Sequence, residues 1–244
     1  MEMEYGLVWA ACKYGLENFK YAARNARGFI QSCSELSDTV EEVFMKYFVD
    51  IEDNLVGETV TPAALLYVIV PLGFLSYVCT VALHGALPYA AAGLRLIVEA
   101  LTLSVYVDTK FPDKSYEEKL DLMSEKYNTF SAVAEELRRY AKIDNRLIDD
   151  VITVWRETSA YLHFVNRARR AGAKGILRLV EKYVEEHGAP PSGFTIPLPT
   201  EFLFEHDAKE LRRLEELIRL VTKIVPGLLE AWARTLREHR AGAN

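Results

Sequence analysis

Apolar and polar residues recur with a helical period along most of the chain, and one stretch stands apart. Thr59 to Leu94 contains no Asp, Glu, Lys or Arg. Before it, Tyr5, Val8, Trp9, Cys12, Leu16, Phe19, Ala22 and Ala23 fall three and four apart, which predicts a first helix over 5–33 with those side chains inward. Ser37, with Glu41 and Glu42 behind it, predicts the start of a second helix over 37–53, with Val40, Val43, Phe44, Tyr47 and Phe48 inward. Asn54 to Thr61, containing Gly57, is a break, and Thr61-Pro62 fits an N-cap followed by proline in the first turn. A third helix follows over 62–83, kinked or divided by Pro71 and Gly73, and is ended by His84-Gly85. A fourth covers 88–108, and its Ala90-Ala91-Ala92-Gly93 run lets another helix approach closely.

Phe111-Pro112-Asp113 is a stop and Ser115-Tyr116-Glu117-Glu118 a start. Two amphipathic helices follow, 115–127 with Leu120, Met123 and Tyr127 inward, and 130–142 with Val133, Leu137 and Tyr140 inward. Asp144 or Asn145 caps a long helix reaching Arg170, and 175–187 forms another. The segment 188–205 is rich in proline yet apolar, so it reads as a packed loop. A final helix over 206–240 places Leu211, Leu214, Leu217, Ile218, Val221, Ile224, Val225, Leu228 and Leu229 inward, with a kink at Pro226-Gly227. The fold class this predicts is all-α, a multi-helix bundle built around a central apolar helical hairpin. It forms one domain over 1–244, comprising N-terminal helices (1–58), the central pair (59–108) and the remainder (109–244).

The central run admits two readings. The span 62–83 is long enough to cross a bilayer. Against a membrane, no Lys/Arg cluster flanks it, and the next helix would carry Arg95 and Glu99 to membrane depth. A hairpin buried in the core satisfies the apolar faces of the other helices, so no stable membrane insertion is expected.

Charge refines this picture little. The net charge of −6 resides in residues 1–58, with eleven acids against five bases, so no general attraction to nucleic acid follows. Three cysteines, Cys12, Cys33 and Cys79, form no CxxC pair, and their odd number is a poor disulfide framework. Cys79 is expected to pack as a small hydrophobe in a reduced, cytoplasmic protein. The acidic start, MEMEYGLVW, lacks the features of a signal or transit peptide. Motifs for zinc, nucleotide phosphate or a serine nucleophile are missing from the sequence, and the five histidines lack metal-ligand spacing. No cofactor or metal is expected.

Candidate chemistry rests on polar groups within apolar surroundings. Arg95 and Glu99, four apart, share a helix face and can pair. A buried polar network of Arg95, Glu99 and Glu157 is expected, with Arg156 available to pair with Glu99 as one option. The alternative is an anion site. Arg156 and His163 lie two turns apart on one face, with Ser159 near, and could act as a fixed cation and a mobile proton. Thr158 to Val180 contains no acid, while Arg167, Arg169, Arg170, Lys174 and Arg178 supply charge that a phosphate backbone would meet favourably.

Three segments together carry a resemblance: GALPYAAAGLRLIVE (Gly85 to Glu99), the W-R-E-x-S-x-x-x-H helix from Trp155 to His163, and the proline-rich loop before a helix with Asp207 and Leu211. Over roughly 60–230 the chain resembles uncharacterised, mostly archaeal all-helical proteins distantly similar to the HEPN superfamily. HEPN ribonucleases carry Arg-x(4–6)-His, which Arg156 and His163 match with six residues between them. The resemblance implies metal-independent RNA cleavage, commonly across a homodimer interface, with Arg156 steadying the phosphate and His163 assisting proton transfer. Many HEPN-like proteins are instead non-catalytic binding modules, which implies a protein partner or RNA bound without cleavage.

Overall fold

The structure, a computed structural model, describes residues 6–46, 77–126, 129–140, 143–162, 181, 184–185, 188 and 208–243. Among these, the regular structure is helical throughout. We number the helices α1 (Gly6–Asn25), α2 (Arg27–Phe44), α3 (77–83), α4 (Leu87–Lys110), α5 (Tyr116–Lys126), α6 (Phe130–Tyr140), α7 (Asn145–Leu162) and α8 (Ala208–Ala243). The all-α bundle expected from the periodicity is the fold observed.

The apolar helix α4 is its axis. Every residue from Ile97 to Thr109 is buried, so this helix has no solvent face over more than three turns. It packs against α5, α6, α7 and α8. Among the described residues it is the one helix long and apolar enough to cross a membrane, and 83% of its apolar window is buried inside the protein. Ser104 and Thr109 satisfy their hydroxyls by donating to the carbonyls of Ala100 and Val105, 2.7 and 2.8 Å away.

The second long element, α8, buries all nine positions expected from its periodicity, from Leu211 to Leu229. Pro226 does not end it. Gly227 allows α7 to approach, because a Cβ there would stand 2.7 Å from Leu147 Cδ2. Along its other flank α8 carries α2, fixed by Phe29 and Leu36 in the core and by Arg219 Nε donating to Ser32 Oγ at 3.0 Å.

Local signals set most of the boundaries. Gly85 adopts φ 94°, the left-handed conformation that ends α3 and that glycine takes at little cost. Pro88 stands in the first turn of α4. Ser115 and Glu118 form a reciprocal cap on α5, since Ser115 N–H donates to Glu118 Oε2 at 2.9 Å and Glu118 N–H to Ser115 Oγ at 3.3 Å. Asp144 Oδ1 accepts from Arg146 N–H at 2.9 Å before α7.

Several expectations are corrected. The first helix does not run to residue 33: it breaks at Ala26 (φ −133°, ψ 50°), and α2 begins at Arg27 rather than at Ser37. The break lets Gly28 lie against Glu215 of α8, where a Cβ would come within 2.7 Å of the carboxylate. The inward face of α1 is only partly the one expected: Ala22 is buried as expected, but the rest of the face is shifted. Gly15, Asn18 and Ala22 are buried, while Leu16 and Phe19 are 51% and 44% exposed and Ala23 is exposed. Tyr140 is exposed, its ring under the Lys110 ammonium 5.1 Å away.

The three cysteines do not all stand free. Cys33 of α2 and Cys79 of α3 form a disulfide with their Cα atoms 5.9 Å apart. Parity and short-range spacing could not reveal a pair 46 residues apart that tertiary packing brings together. The expected helix before residue 77, the extension of α7 to Arg170 and the loop 188–205, Gly188 apart, lie outside the described residues.

Candidate functional site

The polar groups of α4 and α7 meet as the sequence suggests, but through different residues. Arg95 Nε donates to Glu99 Oε1 at 2.9 Å, one turn along the same helix. The pair is nearly removed from water, with side-chain exposures of 12% and 4%. The same Glu99 oxygen accepts from Trp155 Nε1 at 2.6 Å. Arg95 Nη1 donates to Ser159 Oγ at 2.8 Å, and the Ser159 hydroxyl donates onward to the Trp155 carbonyl at 2.6 Å. The Arg95 guanidinium also lies 5.0 Å from the centre of the Trp155 ring, which stacks on Phe130 at 5.5 Å.

Two expected members are therefore replaced. Arg156 does not pair with Glu99. It is exposed and makes no hydrogen bond or ion pair among the described residues. Glu157 is not in the network, because it pairs with Arg213 of α8. The physical reason is helical register. Val151, Val154, Thr158 and Tyr161 define the buried side of α7, and Trp155 borders it while residue 156 is turned about 100° further round. Ser159, a candidate for chemistry beside Arg156, instead uses its hydroxyl within the Arg95 network. His163 lies outside the described residues, as do Arg167, Arg169, Arg170, Lys174 and Arg178.

Two further clusters on α4 were missing from the sequence reading. At its C-terminal end Asp108 is fully buried, its Oδ1 accepting from Lys119 Nζ of α5 at 3.0 Å and its Oδ2 from Trp232 Nε1 of α8 at 2.9 Å. Lys119 and Trp232 are themselves fully buried. A signal existed: Leu101, Val105 and Asp108 share a stripe, and Lys119 precedes the inward Met123 by one turn. On another side of the same helix, Tyr106 Oη donates to Glu136 Oε2 at 2.5 Å, and Lys110 Nζ donates to Glu136 Oε1 at 2.6 Å and to Tyr106 Oη at 2.8 Å. Burial, then the bond to Glu136, raises the Tyr106 phenol above its usual range. The bond to Glu136 raises the Lys110 ammonium, and the bond from Lys110 lowers the Glu136 carboxyl.

Each of the three clusters joins a carboxylate to donors on a neighbouring helix: Glu99 of α4 to Trp155 of α7, Glu136 of α6 to Tyr106 and Lys110 of α4, and Asp108 of α4 to Lys119 of α5 and Trp232 of α8. Among the described residues no group of three or more His, Cys, Asp or Glu could hold a metal ion. Comparison with protein-family models, with curated proteins and with solved structures finds no match.

Proposed function

We propose that this chain is a cytoplasmic, non-catalytic helical interaction module of HEPN-like character. The observation that supports this reading is the use made of the candidate polar groups. Arg95, Glu99, Trp155 and Ser159 bond to one another across α4 and α7, so they tie helices together and offer no reactive atom to a substrate. An arginine held between a carboxylate and a hydroxyl is a poor phosphate ligand, because binding phosphate would leave Glu99 buried without its counter-ion.

One observation favours a second reading, a metal-independent endoribonuclease using Arg156 and His163. Arg156 is exposed and unengaged among the described residues, as a residue meant for an external phosphate would be. In that reaction the 2′-hydroxyl attacks its own phosphate while a base takes the proton and a cation stabilises the developing charge. The test is incubation of labelled single-stranded RNA with purified protein in EDTA, beside Arg156→Ala and His163→Ala. The module reading expects no cleavage above the blank. Products ending in 2′,3′-cyclic phosphate, lost in both variants while the fold persists, would replace it with the nuclease reading.

A further inference from the structure

We propose that the outward side of α1 is a docking seam for a helix of another chain that carries an acidic edge. The inference rests on the module reading, to which it adds the place and the chemistry of the partner.

Most of the apolar residues that predict α1 are not the ones that hold it to the bundle. Gly15, Asn18 and Ala22 are buried, Gly15 lying against the His84 ring and Asn18 Nδ2 donating to the His84 carbonyl at 3.1 Å. Leu16, Phe19 and Ala23 are exposed. Trp9 and Cys12 occupy backbone positions that continue the line of these three toward the N-terminus. The positions 9, 12, 16, 19 and 23 are spaced three, four, three, four, which is the seam by which one helix coils on another. It runs along roughly 21 Å of helix. A seam of this period is a narrow stripe, whereas a helix lying in a lipid surface presents a broader apolar face.

Charge then selects the occupant. Lys13 and Lys20, seven apart, follow Cys12 and Phe19 and stand along one edge of the seam, and Arg24 is exposed beside that edge. Glu17, the one acid in the α1 sequence, lies 3.3 Å from the Lys20 ammonium. The other edge holds Gly15 and Ala22, which are buried in the bundle, so the basic edge is the one open to a partner. A second copy matches this poorly. Two such seams running in opposite directions set basic edge against basic edge, and in the same direction they leave the lysines facing Gly15 and Ala22. Nor does α2 of a second copy fit. It carries the acids Glu35, Asp38, Glu41 and Glu42, but every exposed residue from Gln31 to Glu42 is polar, so there is no apolar line for Leu16 and Phe19 to meet. A helix of another chain with an apolar seam and carboxylates along its edge satisfies both features.

The experiment uses the full chain and a fluorescently labelled peptide of roughly three heptads, with leucine at the seam positions and glutamate on both edges. A twin peptide carries lysine in place of glutamate. In anisotropy titrations the glutamate peptide is expected to bind about tenfold or more tightly than its twin. Lys13→Glu combined with Lys20→Glu should reverse that order. Leu16→Glu should weaken the glutamate peptide by about tenfold or more while its melting temperature stays within about 2 °C of wild type. Equal binding of the two peptides, binding of neither, or binding unchanged by Leu16→Glu would overturn the seam and leave the module reading standing, because the RNA assay decides that reading separately. A dimer in sedimentation that Leu16→Glu dissociates would give the face to a second copy. Flotation with phosphatidylserine vesicles, lost in the same variant, would give it to a membrane, and a large fall in melting temperature on Leu16→Glu would give it to the chain itself. Each of these three results would equally overturn the proposal.

Discussion

Asp108 and Lys119 are a charge pair with no exposure at all, and their coupling should be measurable. Lys119→Met removes the ammonium that Asp108 Oδ1 accepts from and leaves the bond from Trp232 N–H to Oδ2 in place. Asp108→Asn keeps an acceptor for Trp232 and removes the carboxylate that pairs with the buried Lys119 ammonium. Breaking one side of such a pair costs about 3–5 kcal/mol. That is a large part of the roughly 5–15 kcal/mol that separates most folded domains from their unfolded chains. With a urea slope of about 3 kcal/mol per molar, a loss of 4 kcal/mol lowers the midpoint by roughly 1.3 M. The double variant replaces two charges by two neutral groups, so it should be more stable than the sum of the single effects implies by about 2 kcal/mol or more. The assay is urea unfolding of the four proteins, followed by tryptophan fluorescence and circular dichroism. Additivity within about 0.5 kcal/mol would refute the reasoning, because it would mean that the charges do not sense each other.

Three more expectations follow from the same contacts. Gly93→Leu should cost about 1–3 kcal/mol by overpacking against Val78, and an unchanged melting temperature would place α3 elsewhere. Glu99→Gln and Trp155→Phe should be non-additive in thermal melts, whereas Arg156→Met should change stability by no more than about 0.5 kcal/mol, and a large loss there would show an unrecognised partner. Hydrogen bonds to Lys114, then to Ser115, lower the Glu118 carboxyl from 4.5 to about 2. A depressed folded value means that this contribution is present above pH 4.5 and is lost as pH falls through 2, so Glu118→Gln should flatten the acid limb of the stability curve, and identical acid limbs would contradict the cap.

Much of the architecture was legible because burial writes a period into sequence. All nine inward positions expected from Leu211 to Leu229 of α8 are buried, and Gly85, Pro88 and the Phe111–Ser115 stop and start fall where local chemistry places them. The break at Ala26 was not legible, since no proline or glycine occupies it. Gly28 two residues later marks the approach of α8, which is a tertiary fact. The apolar pattern of α1 misled, because Leu16 and Phe19 are periodic yet exposed. At the candidate site the meeting of α4 and α7 was anticipated from Arg95 and Glu99. The partner was misassigned by one residue, because charge drew attention to Arg156 while the indole N–H of Trp155 makes the bond. Polar complementarity over 124 residues, as between Asp108 and Trp232, leaves no local trace.

An apolar rod buried on all sides could in principle settle at many depths and rotations, since one leucine against another says little about address. The polar positions of α4 act as a combination lock on that freedom. Glu99 recognises α7, Tyr106 recognises α6, and Asp108 recognises α5 and α8 together. A slip of one turn, about 5.4 Å, would open all three at once and leave carboxylates and an ammonium stranded in a dry interior. Neighbouring helices are therefore placed around the axis in one order and at one height, and a sequence that kept every hydrophobic residue but exchanged Glu99 and Asp108 for leucine would keep its stickiness and lose its registration.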